Sequence, residues 1–427
     1  VSAYLTALLQ FGRVREVSHL PESVALKSFF SQPLQNFAAG ATVAIVALPL
    51  ALAFGIGSGL GAAAGLTTAI IAGLVAAVFG GSKYQVSGPT GAMTVVLIPI
   101  FSQYGAPGVL GVGLIAGGLL ILLAILRIGQ HVHKLPTALI EGFTAGIAIV
   151  IAISQLQFLI DFNSSISALV IAVAVVLASR KIPRLPISLI LVIVAAVLNS
   201  ALNLELTSIG ELPARIGDFS IGFLSQDFTK LVFAGIAVAI LAALESLLSA
   251  KIADRMALAL QSNRAEKSTA EFISHDSNRE LFGQGLANLI VPFFGGVPAT
   301  AALARTAVNV KSGATSKLAS AVHALLLAVI VLTLAPLVSQ IPLAALAGVL
   351  FATCFNMINF GELRSLAKES VTNAAVLAVT FIVTVSVDLI AAVISGLVVS
   401  LTLRHRKIAD NLDRRYPPVN SKETLGD

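Results

Sequence analysis

Two charged side chains stand where the surrounding sequence makes charge expensive. Arg305 comes seven residues after Pro298, and Glu245 interrupts the run Leu241-Ala242-Ala243-Leu244-Glu245-Ser246-Leu247-Leu248. A charge in such company costs several kcal/mol unless it faces water or a partner, so each is a candidate for chemistry. Arginine is a fixed cation suited to holding an anion. A carboxyl caught between apolar burial and a neighbouring cation can take up and release a proton. The structural alternatives stay open at this point: an ion pair or a snorkelling side chain for Arg305, and a fixed partner of Arg305 or a helix-end residue for Glu245.

A second signal points to an anion. Phe79-Gly80-Gly81-Ser82 leads into Ser87-Gly88-Pro89-Thr90-Gly91-Ala92, and Phe294-Gly295-Gly296-Val297 leads into Pro298-Ala299-Thr300-Ala301-Ala302. Each is a Gly/Pro interruption that opens a short apolar segment, read as a half-helix beginning near Pro89 and another beginning at Pro298. That start puts Arg305 about two turns into the second. Free N–H groups at such starts attract anions, and small side chains let a ligand approach the backbone. Glycine by itself also serves close helix packing, the reading given to Gly57, Gly61 and Gly65. Glu141 follows Pro136 early in a helix and reads as a dipole partner, Asp388 reads as a cap, and His323 reads as a satisfied core residue. Ser277 followed by Glu280 reads as a capping box. No phosphate loop of the Gly-Lys-Ser/Thr type is present, which argues against ATP as the energy source, and no cofactor or metal is expected. The single Cys354 excludes an internal disulfide and reads as packing.

The elements that must position these residues are membrane helices. Charged residues make up 11% of the chain and hydrophobic ones 57%, and the mean hydropathy is +0.94, far from the balance of a water-soluble domain. Apolar spans are predicted at 35–56, 60–80, 88–104, 107–127, 137–160, 165–179 and 187–203, then at 229–250, 279–294, 298–310, 317–338, 342–358, 371–386 and 388–404. Seven spans per half put the second half into the bilayer from the opposite side, an inverted-topology repeat whose interrupted helices line a protected cavity. With both termini inside, all lysines and arginines except Arg215, Lys230 and Arg305 fall on the cytoplasmic side. The net charge of +6 is thereby explained by topology and requires no nucleic-acid partner. Residues 1–33 read as a cytoplasmic segment rather than a signal peptide, 34–404 as the transmembrane domain and 405–427 as a cytoplasmic tail.

These motifs resemble the SulP family of sulfate permeases and related anion transporters. The resemblance runs from about Ala39 to Leu403. It rests on Ala39-Gly40-Ala41-Thr42-Val43-Ala44-Ile45-Val46-Ala47-Leu48-Pro49, Val86-Ser87-Gly88-Pro89-Thr90-Gly91-Ala92, Glu245-Ser246-Leu247-Leu248-Ser249-Ala250, His275-Asp276-Ser277-Asn278-Arg279-Glu280-Leu281 and Pro298 through Thr306. It implies an all-α membrane protein of fourteen segments in a seven-plus-seven inverted repeat, with half-helices at segments 3 and 10. Helices 1–4 and 8–11 would form a core and helices 5–7 and 12–14 a gate, with transport by an elevator motion of the core. It also implies that Phe54 lines the site, that Arg305 supplies positive potential and that Glu245 lies close to the anion. The substrate-binding candidates are Phe54, Gly91, Ala92, Met93, Ala301, Ala302, Leu303 and Arg305, with Glu245 for proton coupling. Leu50 and Ala304 stand where many relatives carry glutamine and a hydroxyl, which moves the burden of binding to backbone N–H groups. The family usually adds a STAS domain after the last helix, and this chain ends at Asp427.

The expected function is secondary active transport, not enzymatic catalysis. Proton-coupled symport of a fumarate-like dicarboxylate or of sulfate is expected, in a cell membrane read as a bacterial inner membrane. The partners are a small anion, a proton and the lipid bilayer, and a homodimer stays open. The alternatives are a sodium-coupled bicarbonate transporter, a nucleobase–proton symporter and an anion channel. Arg305 argues against a neutral base.

Overall fold

The computed structural model describes residues 29–130, 136–159, 161–182, 186–262, 274–387, 391–392 and 394–403. Asp388 therefore lies outside the described residues, as do the predicted cytoplasmic tail and nearly all of the N-terminal segment. Two compact units are formed, one by Val1–His133 with Val150–Asn356 and the other by Lys134–Ile149 with Met357–Asp427.

In the first unit, α1 (Pro33–Gly57) starts with proline in its first turn, where a missing N–H costs nothing. It turns through Gly59 and Gly61, both at positive φ, into α2 (Ala62–Phe79). Gly65 lies against Gly55 so closely that a Cβ on either would strike the other's backbone, whereas Gly61 meets nothing. Close packing thus accounts for Gly65, and turn conformation rather than packing accounts for Gly61.

The strand β1 (Ser87–Gly88) follows, then α3 (Gly91–Ile125). A straight helix of those 35 residues would run about 50 Å against a hydrocarbon core of about 30 Å. The chain resolves the mismatch at Gly105, where φ is 66°, just before Pro107. The predicted spans 88–104 and 107–127 lie on either side of that break.

The end of α4 (Thr137–Gln155), α5 (Phe162–Lys181) and α6 (Ile187–Leu202) come next, and Asp161 caps α5 by accepting from the Ser164 N–H at 2.7 Å. Residues 204–227 cross to α7 (Phe228–Ser262), tied on the way by Ile209 N–H donating to the Ile341 carbonyl. Then come α8 (Ser277–Ile290), β2 (Thr300–Ala301), α9 (Leu303–Lys311), α10 (Leu318–Val338) and α11 (Leu343–Met357). Helix α8 packs on α2 and α3, α10 on α1 and α2, and α7 on α3 and α9. The second unit holds the start of α4 with α12 (Phe360–Glu369), α13 (Val371–Ser386) and α14 (Ile394–Leu403).

Among the described residues eight helices are long and apolar enough to cross a membrane, so the chain is a multi-pass membrane protein. Cys354 is buried, in keeping with a packing role.

Two local expectations are corrected. The cap of α8 is Asp276, whose carboxylate accepts from the N–H groups of Asn278 and Arg279 at 3.0 Å each, one residue before the predicted Ser277. Glu280 does not reach back to complete a box; its carboxylate accepts from the N–H groups of Gly81 and Ser82. The second half-helix does not begin at Pro298. Residues Thr300–Ala301 are extended and pair antiparallel with β1, Ser87 opposite Ala301 and Gly88 opposite Thr300. The helix starts at Leu303, which puts Arg305 in its first turn rather than two turns in.

Candidate functional site

The site is built where the two interruptions cross. The proline in each biases the residue before it to extended backbone, and pairing between the two segments keeps Ser87–Gly88 and Thr300–Ala301 extended. The two extended pieces then satisfy each other: Ala302 N–H donates to the Val86 carbonyl at 2.9 Å, and Val86 N–H donates to the Thr306 hydroxyl at 3.1 Å. Backbone polar groups at membrane depth need such partners.

Glu245 on α7 joins the crossing from the side. Its Oε2 accepts from the Thr300 hydroxyl at 2.6 Å and from the Thr90 hydroxyl at 2.8 Å, and the two hydroxyls lie 3.2 Å apart. Next on the same helix, Ser246 Oγ accepts from the Ala301 N–H at 3.1 Å, and the Ser246 carbonyl accepts from the Gln85 amide. One carboxylate and one serine of α7 thus hold threonines and backbone from both interruptions. Glu245 is partly accessible and Ser246 fully buried.

Arg305 enters the crossing from α9. It is the largest fully buried side chain of the described residues, and its Nη2 donates to the Pro89 carbonyl at 2.6 Å, one residue before the Thr90 cap. Gly88 makes the approach feasible, because a Cβ there would come within 2.6 Å of Nη1. Nε and Nη1 have no partner among the described residues. Arg305 lies within electrostatic range of Glu245 and of His323 on α10. His323 was expected to be a satisfied core residue. It is instead fully buried, with neither ring nitrogen hydrogen-bonded among the described residues.

The remaining predicted residues divide by what their N–H groups already do. Met93 N–H goes to the Thr90 hydroxyl at 3.4 Å, Ala301 N–H to Ser246 and Ala302 N–H to Val86. Gly91, Ala92 and Leu303 occupy first-turn positions, whose N–H groups point out of their helices. Phe54 of α1 is buried beside Gly91, its ring edge 3.1 Å from where a Gly91 Cβ would sit, and its carbonyl accepts from the Thr94 hydroxyl at 3.2 Å. Phe54, Gly91, Ala301, Arg305 and Glu245 are therefore gathered at one crossing.

Thr90, Thr300 and Ser246 are side chains of the crossing that sequence reasoning passed over. Their signal was a hydroxyl one residue after Pro89, two after Pro298 and one after Glu245. Glu141 belongs to the second unit, where Glu362 is its charged neighbour. No group of three or more metal-ligating side chains occurs among the described residues.

Comparison with known proteins agrees with this architecture. The model of the sulfate permease family matches residues 34–178 and 162–380. The chain is 35% identical over 407 residues to YvdB, a provisionally named sulfate transporter of Bacillus subtilis (strain 168), covering 88% of this chain and 74% of that one. It is 30% identical over 422 residues to the bicarbonate transporter BicA of Picosynechococcus sp. (strain ATCC 27264 / PCC 7002 / PR-6), covering 90% and 72%. The solved transmembrane domain of a cyanobacterial BicA superposes with a TM-score of 0.73 at 29% identity, over 85% of this chain and 98% of that one. The murine Slc26a9 anion transporter shares the fold, with a TM-score of 0.75 at 17% identity over 93% and 74%. These relatives are named as transporters, not as enzymes. By family match, identity and fold, the chain belongs to the sulfate permease family.

Proposed function

We propose that this protein is a secondary active anion transporter that carries sulfate or a small dicarboxylate together with a proton across a bacterial inner membrane. The observation that carries the reading is Glu245 bound to hydroxyls from both interruptions, with the Arg305 guanidinium on the neighbouring Pro89 carbonyl. As a carboxylate, Glu245 is the acceptor that draws Thr90 and Thr300 together. Once protonated at Oε2 it must donate, so one threonine turns or lets go. Proton binding is in this way tied to the geometry of the crossing. The anion sits against the N–H groups of Gly91, Ala92 and Leu303, with Phe54 as an apolar wall and Arg305 acting through the crossing as fixed positive potential. The fourteen segments form a seven-plus-seven inverted repeat with cytoplasmic termini, and a core of helices 1–4 and 8–11 moves as an elevator against a gate of helices 5–7 and 12–14.

A second reading, bicarbonate as the anion with sodium as the driving ion, draws on the BicA relatives. Purified protein in liposomes, offered labelled sulfate, fumarate and bicarbonate under an inward proton or sodium gradient, decides between them. Sulfate or fumarate uptake driven by the proton gradient is expected. Uptake that ignores the proton gradient sinks the symport, and sodium-driven bicarbonate uptake installs the second reading.

A further inference from the structure

Helix α8 carries Glu280, Gln284 and Asn288 at four-residue spacing on one face, and all three are almost completely buried. Buried polar side chains are costly unless each has fixed partners. Here the partners lie on both interruptions. Glu280 accepts from Gly81 N–H at 2.8 Å and Ser82 N–H at 3.0 Å, at the entry to the first. The Gln284 amide donates to Glu280 at 2.9 Å and to the Ser87 hydroxyl at 2.7 Å. Asn288 accepts from Ala299 N–H at 2.8 Å and donates to the Ala299 carbonyl at 2.9 Å, on the second interruption. The helix comes close because Gly81 and Gly283 leave room: a Cβ on Gly81 would strike backbone at Asp276 and Glu280, and one on Gly283 would strike backbone at Gly80.

We infer that Gln284 and Asn288 are positioning residues that fix the register between the two interruptions and thereby set the affinity for the transported anion. The strands they brace are two residues each, Ser87–Gly88 and Thr300–Ala301. A pair that short cannot fix its own register, and a slip of one residue would turn its side chains to the opposite face. Such a slip removes a threonine from Glu245 and the Pro89 carbonyl from Arg305. Helix α8 touches one strand at Ser87 and the other just before Thr300, so the two cannot slide without breaking a hydrogen bond to it. The inference rests on the transport reading for its affinity effect, but not for its register effect.

Two measurements on the full reconstituted chain separate those effects. Sulfate uptake against concentration is measured for wild type, Gln284→Leu, Ser87→Ala and the double variant. Each single change removes the Gln284–Ser87 hydrogen bond and should raise KM roughly ten-fold, Gln284→Leu somewhat more because it also loses the bond to Glu280, with the maximal rate nearly kept. The double variant should be no worse than the poorer single, because both remove one interaction. Unchanged KM in the singles, or effects that multiply in the double, overturns the inference. Amide hydrogen exchange at Val86, Ala301 and Ala302 without anion reads the register directly. It should be about ten-fold faster in Gln284→Leu, by the same lost hydrogen bond, and unchanged exchange overturns the inference whatever the uptake shows. Ser87→Ala removes one hydroxyl and keeps the test open if Gln284→Leu fails to fold. Faster exchange together with no anion uptake by wild type upholds the register and rejects the transport reading.

Discussion

At the first interruption the helix start is closed by its own side chain: Thr90 is the cap of α3 and takes the Met93 N–H. At the second, Ala302 holds the same position for α9 with no side chain that can cap, while Leu303 and Ala304 beyond it are exposed. The charge is distributed the opposite way. Helix α3 has no ionisable residue in its first turn, whereas α9 brings Arg305 there. The difference teaches that the two starts are not equivalent. The first gives up one N–H to its own Thr90 and supplies the carbonyl that holds Arg305, while the second has no side-chain cap and carries the cation.

Removing the cation should have the largest effect. Arg305→Ala is expected to lower anion uptake at least 100-fold or so, since loss of a buried charge partner is commonly worth 3–5 kcal/mol. Arg305→Lys should restore little, because lysine keeps the charge but not the planar fork that reaches Pro89. Uptake by the alanine variant near the wild-type rate, with an unchanged elution profile, would make both helix starts equal and end the comparison.

The next effect belongs to the group between the two starts. The proposed proton symport, with Glu245 as the proton carrier, predicts that wild-type uptake rises as external pH falls. Glu245→Gln keeps the shape and fixes the side chain as neutral. It should leave a slower uptake that no longer changes with pH. A pH profile parallel to wild type would reassign Glu245 to structure.

Much of this geometry was legible in the residues, and what was missed has a common cause. Spans, breaks and the two charges follow from hydropathy, proline and glycine, which act locally and leave their mark on the sequence. The Gly105 break between two predicted spans is such a case, marked by Gly105 and Pro107 together. The start of α9 was misplaced because Pro298 is compatible with a first helical turn, and only pairing with Ser87 and Gly88, far away in the chain, keeps Thr300–Ala301 extended. The capping box misled for the same reason: the carboxylate of Glu280 has a better use on Gly81 and Ser82 than on its own helix end. His323 reads as an ordinary core residue until the structure shows both ring nitrogens buried without a partner among the described residues. Residues whose roles depend on distant partners carry no local signature.

The two threonines sharpen the comparison at smaller scale. Both donate to Glu245, but Thr90 also caps α3. Thr90→Val should therefore destabilise the protein by about 1 kcal/mol more than Thr300→Val, the usual worth of a cap. Thermal unfolding in detergent measures the difference. Equal losses would mean that the cap contributes nothing and that α3 is as open as α9.

The smallest change tests the open end directly, by closing it. Ala302 already has the extended backbone of a capping residue, with φ −87° and ψ 116°. A hydroxyl there can accept an N–H from the first turn of α9, at Ala304 or Arg305. Ala302→Ser should stabilise the protein by roughly 0.5–1 kcal/mol and, by placing a hydroxyl beside the Leu303 N–H that the anion is proposed to use, raise KM several-fold. Stability and affinity would then move in opposite directions from one added oxygen. If affinity holds while stability rises, the first-turn N–H groups of α9 are not where the anion binds, and the open end is only an uncapped helix.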